Sequence, residues 1–190
     1  MCTNFTPTKN SQWAKEKLGV ELPADFPAES YPGFAAPVVV KSHQSDRVAC
    51  GLARFGLIPP WAKDDKIARH TYNARSETAS QKPSFRSAWR NRQFGLVLCD
   101  NFYEPSYESG KAVRWKIERA DRQPFGIACL WDRWTDPSSG ELVVSFSMLT
   151  VNADEHPVMN QFHKPGDEKR TPVIISPEYH GAWLGAQLDE

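Results

Sequence analysis

The amino-acid sequence predicts one α+β domain over residues 1–190, with a curved, mainly antiparallel β-sheet as a barrel-like core and flanking helices. Apolar runs of strand length follow one another and are separated by tight turn sequences, which favours antiparallel neighbours. The chain has 190 residues, of which 40% are hydrophobic and 12% aromatic. This length and composition suit a single globular core.

The N-terminal half is predicted to alternate helices and strands. It begins with a short amphipathic helix over residues 11–18, with Ser11 as its N-cap. A proline-rich loop follows. The remaining elements are expected in the order strand, strand, loop with an exposed Trp61, helix and helix, over residues 36–40, 48–57, 58–64, 74–79 and 84–92.

The C-terminal half is predicted to consist mainly of strands. The turn sequence Ser109-Gly110 separates the first strand from the second, and the turn over residues 136–140 separates the third from the fourth. A closing helix is expected over about residues 177–187, with Pro177 in its first turn. The strands are predicted over residues 94–104, 112–119, 124–134, 142–153 and 171–176.

The charge balance and the absence of long apolar segments in the sequence limit which functions it can have. The 23 Lys and Arg residues balance the 23 Asp and Glu residues, so any DNA binding requires a local basic face. Residues 69–92 are rich in basic side chains and contain one acid, Glu77, although charge alone favours a solvated surface there. Because the sequence has neither a long apolar span nor a signal-peptide core, we expect a cytoplasmic protein.

The four cysteines do not form a C-x-x-C pair, so neither a zinc knuckle nor another metal or cofactor site is expected. Cys50, Cys99 and Cys129 lie in or beside apolar runs and are expected to be buried structural thiols. Cys2 differs, because it follows the initiator methionine in a polar stretch. Nothing in the local pattern suggests that packing requires it.

Removal of Met1 would make Cys2 an N-terminal residue with an α-amine and a thiol on adjacent carbons. The amine titrates at about 7.7–8.0, so part of it is neutral in the cell. These two groups suit an aldehyde, because the amine forms an imine and the thiol then closes a thiazolidine ring. A cysteine at this position can also be incidental.

Four further residues are candidates for catalysis or for binding an anion. Asn73 and Arg75 lie at the start of a predicted helix and could orient a reacting group or hold an anion, or belong to an ordinary transition from loop to helix. Glu104 ends an apolar strand beside aromatic residues and could transfer protons, or simply be exposed in a turn. His163 precedes a strand that could direct it inward. The other histidines, His43, His70, His156 and His180, are expected at the surface.

The sequence resembles the SRAP family (SOS response-associated peptidase domains) over nearly its whole length. Each motif alone is weak, but eight in a fixed order are specific. They are MC at the start, FGLIPPW (55–61), NARSET (73–78), PSFRSAW (83–89), DNFYE (100–104), ACLWDRW (128–134), LTVNA (149–153) and FHKPGDEKRTPVIIS (162–176).

The resemblance implies a catalytic set. Cys2 matches the family's N-terminal nucleophile, which forms a thiazolidine with the ring-opened sugar of an abasic site. Asn73 matches the residue that positions the reacting groups, and Glu104 matches the carboxylate that handles protons. His163 matches the histidine that assists ring closure and reversal of the crosslink.

The resemblance also implies a groove for single-stranded DNA in an SRAP-like fold. Arg75 matches a phosphate-contacting arginine and Trp61 a DNA-contacting aromatic, and Arg86 and Thr150 are assigned to the same groove. Trapping an abasic aldehyde would protect the strand during a DNA damage response. The protein is expected to be a monomer and to associate with the nucleoid when it is bound to DNA.

Three departures from the family pattern bear on this site. Thr3 and Asn4 replace a Gly-Arg pair, which removes a basic side chain beside Cys2. Pro105 replaces the tryptophan that follows Glu104. The segment between His163 and the next strand is lengthened.

Two alternatives remain open on the sequence. The first is an N-terminal-nucleophile hydrolase or peptidase that processes its own Met1, and it would need an oxyanion hole. Autopeptidase and lyase activities are also expected of the crosslinking protein itself. The second is a non-catalytic binder of single-stranded DNA in which Cys2 is incidental.

Overall fold

The computed structural model describes residues 2–42 and 45–186. Within them, the chain forms ten strands, three α-helices and short 3₁₀ turns at Asp65–His70, Met159–Gln161 and Pro177–Tyr179. The helices are α1 (Ser11–Leu18), α2 (Arg86–Arg90) and α3 (His180–Leu184). The strands are β1 (Phe5–Pro7), β2 (Ala35–Lys41), β3 (Val48–Phe55), β4 (Asn73–Arg75), β5 (Phe94–Ser106), β6 (Val113–Glu118), β7 (Phe125–Thr135), β8 (Leu142–Asn152), β9 (Arg170–Pro172) and β10 (Ile174–Ile175).

Five of these strands close into a barrel. β2 pairs with β3, β3 with β8, β8 with β7, β7 with β5, and β5 returns to β2. Four of the five pairings are antiparallel, and the contact between β3 and β8 is parallel. The predicted barrel-like, mainly antiparallel core is therefore confirmed.

Shorter strands extend the barrel at one end. β5 has 13 residues; its first half lies in the barrel wall, and its second half pairs with β1 and β6. β4 and β9 pair with the end of β8, and β10 pairs with β7. The ends of β5 and β8 are thus brought beside the N-terminus, and this arrangement creates the site described below.

The barrel interior is aromatic and aliphatic. The ring of Phe55 stacks on that of Phe146 with centroids 5.0 Å apart, and Phe5 packs edge-on against Phe55. The outer face is also covered, since Trp13 of α1 and Leu184 of α3 pack on Leu96 and its neighbours in β5. Burial on both faces explains why β5 reads as a nearly continuous apolar run.

Helix α1 has the predicted bounds but a different cap. The Asn10 side-chain oxygen accepts a hydrogen bond from the Trp13 backbone N–H at 2.9 Å, so Asn10, not Ser11, is the N-cap. An Asn is at least as good an N-cap as Ser. Gly19, with a φ of 66°, ends the helix in the left-handed conformation.

Three other predicted elements differ from the structure. Residues 74–79 are not helical, because Asn73–Arg75 instead form β4 on β8 and a turn follows. The strand predicted over 171–176 is divided, since β9 pairs with β8 whereas β10 pairs with β7. The closing helix is shorter than predicted; it ends at Leu184, and Gln187 lies outside the described residues.

Candidate active site

Cys2 lies in the core and not in the polar setting that the sequence suggested. Its side chain is fully buried, and its thiol donates a weak hydrogen bond to the Asn4 carbonyl at 3.7 Å. The reason is its position directly before β1, whose pairing with β5 draws the N-terminus inward. Burial raises the pKa of the Cys2 thiol well above its usual range, and the nearby Glu104 carboxylate raises it further.

Asn73 holds the Cys2 backbone. Its side-chain N–H donates to the Cys2 carbonyl at 2.8 Å, although the two residues are 71 positions apart in the sequence. Asn73 reaches this point because it begins β4, which lies along β8. Within the described part of the chain, Asn73 Oδ1 is buried and accepts no hydrogen bond. A buried acceptor of this kind is costly unless a partner reaches it, so it is suited to receive a donor from a substrate or from the Cys2 amine.

Glu104 and His163 form a buried pair. Glu104 is 1% exposed and His163 is 7% exposed, and Glu104 Oε2 lies 3.4 Å from His163 Nδ1. Burial raises the pKa of Glu104 to about 7, and burial lowers the pKa of His163. Glu104 can therefore exchange protons near neutral pH, as general acid–base chemistry requires, and burial favours the neutral form of the His163 ring beside it.

The backbone and ring of His163 are both held in place. Its N–H donates to the Pro105 carbonyl at 3.0 Å, and its φ of 67° is in the left-handed region. Nε2 lies 2.7 Å from the Arg170 carbonyl, which can only accept, so Nε2 carries the proton in the neutral ring. Nδ1 is then the acceptor that faces Glu104, and the pair can share one proton.

Arg170 belongs to the site although the sequence alone does not predict it there; it lies in the last of the eight motifs, over residues 162–176. Its side chain is nearly fully buried and donates to both carboxylate oxygens of Glu77 at 2.9 Å, to Glu168 at 2.8 Å and to the Thr150 carbonyl at 2.7 Å. These bonds lower the pKa of Glu77 to about 2. Because the Arg170 carbonyl also holds His163, this cluster positions the histidine. No local sequence pattern would have identified a buried arginine between two acids.

Three of the predicted DNA-contacting residues are exposed, but they differ in their partners. Arg75 is half-exposed and forms an ion pair with Glu168 at 2.7 Å. Trp61 is 56% exposed, as predicted, and its indole N–H donates to the Pro83 carbonyl. Arg86 is exposed at the start of α2. Arg75 lines a cavity of about 430 Å³ that also touches His163.

Thr150 does not fit a contact with DNA. Its side chain is 1% exposed, and its hydroxyl lies between the Ala74 carbonyl and the Arg170 guanidinium. Thr150 lies in the middle of the sheet, where β8 pairs with both β4 and β9. It therefore supports Arg170 and is not part of a groove.

The departures near Cys2 are accommodated locally. Asn4 is buried, donates to the Ser30 carbonyl and accepts from the Arg114 guanidinium. Pro105 continues β5 opposite Arg114 of β6, and its carbonyl still receives the N–H of His163. The lengthened segment after His163 supplies Glu168, the partner of Arg75.

The remaining predictions on histidines and cysteines are mixed. Cys99 and Cys129 are buried as predicted, and Cys50 is partly buried. His180 is 1% exposed and not at the surface, because its ring packs against Trp13 and lies 2.9 Å from the Ile175 carbonyl. His70 and His156 are exposed, whereas His43 lies outside the described residues.

Among the described residues, 2–42 and 45–186, no group of three or more His, Cys, Asp or Glu side chains could hold a metal ion. In the same part of the chain, no helix is long and apolar enough to cross a bilayer.

Comparisons with known proteins agree over the length of the chain. A family model described as SOS response associated peptidase (SRAP) matches residues 1–190. The abasic site processing proteins YoqW and YobE of Bacillus subtilis (strain 168) are 35% and 33% identical, each over 97% of this chain and over 80% and 82% of their own lengths. A crystal structure of a protein from Bordetella bronchiseptica has a TM-score of 0.88 and 36% identity, with 97% of this chain and 89% of that chain covered.

Proposed function

This chain belongs to the SRAP family, and we propose that it traps abasic sites in single-stranded DNA as a covalent crosslink through Cys2. The names of the relatives, abasic site processing proteins, support DNA with abasic sites as the substrate. The observation that carries the proposal is the convergence of Asn73, Glu104 and His163 on a cysteine at position 2.

The reaction begins with removal of Met1, which frees the α-amine of Cys2. The amine adds to the aldehyde carbon of the ring-opened abasic sugar, and loss of one water gives an imine. The thiol then adds to the imine carbon: a carbon–sulfur bond forms, and the thiol proton passes to the imine nitrogen. The product is a thiazolidine, and the net reaction releases one water.

Glu104 is the proton carrier in this scheme. With a pKa of about 7, it is present in both forms at neutral pH. Its acid form protonates the hydroxyl that leaves as water, and its carboxylate form takes the thiol proton. Nδ1 of His163, 3.4 Å away, exchanges the same proton and restores the starting state.

Asn73 orients the nucleophile. By holding the Cys2 carbonyl, it limits rotation of the residue that carries both reacting groups. Its buried Oδ1 can accept a hydrogen bond from the amine and direct the nitrogen lone pair toward the aldehyde. Such orientation is a substantial part of catalysis when two groups must react in order.

The DNA contacts come from Arg75, Trp61 and Arg86. Arginines contact the phosphates and an exposed aromatic ring stacks on a base, which is the usual combination for single strands without sequence readout. Each phosphate that is neutralised releases counterions, so binding should weaken with salt.

The hydrolase alternative is less well supported. A thiol hydrolase attacks as a thiolate, whereas burial and Glu104 both raise the pKa of Cys2. In the crosslinking scheme the amine reacts first, and the thiol loses its proton only when the imine is in place.

Intact-mass spectrometry of the protein before and after incubation with an abasic single-stranded oligonucleotide tests the proposal. We expect loss of Met1, followed by an adduct on Cys2 whose mass equals protein plus oligonucleotide minus one water. An oligonucleotide with a tetrahydrofuran in place of the abasic sugar has no aldehyde and should form no adduct. Cys2→Ala should also form none; a normal adduct with this variant would refute the proposal.

A further inference from the structure

Trp115 lies beside the catalytic carboxylate without belonging to the groups discussed so far. In the antiparallel pairing of β5 and β6, Trp115 is directly opposite Glu104. Side chains of such partners project from the same face of the sheet, with Cβ atoms about 4.5–5.5 Å apart. Glu104 is 1% exposed and Trp115 is 49% exposed, so the indole lies at the edge of the site, outside the buried carboxylate.

The indole is supported by the segment that carries His163. Its ring packs against Phe162 with centroids 6.1 Å apart and an interplanar angle of 61°. Phe162 is 4% exposed, directly precedes His163 and pairs with Ser106 at the end of β5. Trp115 is therefore held on one side by the core and open to solvent on the other.

Trp115 and Arg75 are linked to the catalytic groups through different elements. Trp115 is on β6, which pairs with β5, the strand that carries Glu104. Arg75 is on β4 and forms an ion pair with Glu168, in the segment that follows His163. Contacts to Arg75 and to Trp115 by a DNA strand with its abasic sugar at Cys2 would therefore be made on separate elements of the site.

We propose that Trp115 is a stacking platform for the unpaired base next to the abasic site. This inference depends on the proposed function. An abasic nucleotide leaves its neighbouring base without a stacking partner on one face, and an exposed indole can supply that partner. A base is favoured over a phosphate here because the shallow cavity beside Trp115 is lined by Val113 and Glu108, and none of the described residues that line it is basic.

The test measures binding separately from crosslinking. Single strands carry a tetrahydrofuran abasic analogue, which cannot react, and 2-aminopurine on its 5′ or its 3′ side. We expect the wild-type protein to quench 2-aminopurine on one side only. Trp115→Leu should abolish that quenching and weaken binding about tenfold, since one base stacked on one aromatic ring contributes roughly that much. Trp115→Phe should retain most of both effects.

Tyr179→Leu is the matched control, because Tyr179 is an aromatic residue that is 63% exposed and lies outside the site. It should leave quenching and affinity unchanged. Thermal melts verify folding, and Trp115→Gln is a second variant if leucine disturbs it. If Trp115→Leu and Trp115→Gln both bind and quench like the wild type, the stacking role is overturned. The same result is expected if Trp115 contacts a second copy of the chain and not DNA.

The two proposals fail in different ways. If the wild-type protein forms no adduct with an aldehyde-bearing abasic strand, the crosslinking function is wrong, and the stacking role is overturned with it. If the wild type forms the adduct but the Trp115 variants show unchanged quenching and affinity, only the stacking role is wrong.

Discussion

Glu104 illustrates how one buried residue serves chemistry at a cost in stability. Burial raises its pKa from 4.5 to about 7, so the folded state binds its proton more tightly than the unfolded chain. The folded state is therefore destabilised as the pH rises from about 4.5 through 7. At about 1.4 kcal/mol per pKa unit, the penalty above pH 7 is at most about 3 kcal/mol.

We expect Glu104→Gln to separate these two effects. The variant should form the crosslink about 100-fold more slowly, because a general acid–base group is lost. It should also be more stable than the wild type at pH 8 and nearly equal to it at pH 4.5. Urea denaturation at both pH values and single-turnover adduct assays provide the measurements. A wild-type rate would remove Glu104 from the mechanism.

Arg75 and Glu168 support a second prediction at this scale. Glu168 pairs with Arg75 at 2.7 Å, and hydrogen bonds from Arg170 lower the pKa of Glu168, so it stays charged near neutral pH. A phosphate that approaches Arg75 must compete with this carboxylate. We expect Glu168→Gln to strengthen binding of single-stranded DNA severalfold at low salt, as measured by fluorescence anisotropy.

The Arg75→Ala variant completes the test. It should weaken binding and reduce the salt slope by about one, and it should cancel the gain from Glu168→Gln. Asp121→Asn, at another exposed ion pair, is the control for a simple change of net charge. An equal gain from Asp121→Asn would indicate a general charge effect and not competition for Arg75.

Residue identities were only partly predictable from the sequence. Cys2, Asn73, Glu104 and His163 were selected by motif, and the structure brings them together. The burial of Cys2 was not predictable, because it results from pairing between β1 and β5, which are about 95 residues apart in the sequence. For the same reason, Thr150 was assigned to a surface and Arg170 was overlooked.

Among the elements, the segment from His163 to β9 depends most on a single side chain. Arg170 ties Glu77, Glu168 and the Thr150 carbonyl together, and its own carbonyl fixes the His163 ring. The segment therefore has its two ends fixed at the same point.

We expect Arg170→Ala to lower the free energy of unfolding by about 3 kcal/mol, as for other broken buried ion pairs. The crosslinking rate should fall as well, because His163 loses its support. Urea denaturation and adduct kinetics measure the two effects. Arg170→Lys, which keeps the charge but not the planar fork, should recover only part of each. Unchanged kinetics in a destabilised protein would argue against the positioning role.

Local sequence patterns predicted an element well where the residues of that element alone determine its structure. Helix α1 follows from its amphipathic spacing and caps. Residues 74–79 were wrongly predicted as helical because the edge of β8 offers backbone hydrogen bonds to Asn73–Arg75. Residues 171–176 read as one strand because the sequence does not show that the chain crosses from β8 to β7 at Val173.

The whole molecule is organised by closure of the barrel. Fold class was predictable because strand and turn signals are local. Closure was not, since it requires β3 to lie parallel to β8, roughly 90 residues later, and no periodicity encodes that pairing.

Gly95 provides a test of this closure. A Cβ at this position would lie 3.0 Å from Cys129 Sγ and 3.1 Å from the Val39 carbonyl, where β5 is held between β2 and β7. We expect Gly95→Ala to destabilise the fold by about 1–3 kcal/mol through overpacking. The folded fraction should still form the crosslink at the wild-type rate.

Gly51→Ala, on β3 of the same barrel, is the matched control because a Cβ there meets no atom within 4 Å. Urea denaturation of both variants gives the comparison. Equal stability of the two variants would mean that the barrel wall adapts to an added methyl group.

The position of Cys2 has a practical consequence for how this protein can be produced and fused. Only Thr3 and Asn4 separate Cys2 from β1, so the nucleophile is held close to the sheet. A purification tag or fusion partner placed before Cys2 would hold the Cys2 amine in a peptide bond, and its chain would have to pass out of a buried part of the barrel. Such a tag must be removed by a protease that cuts directly before Cys2, whereas a C-terminal tag leaves the amine free.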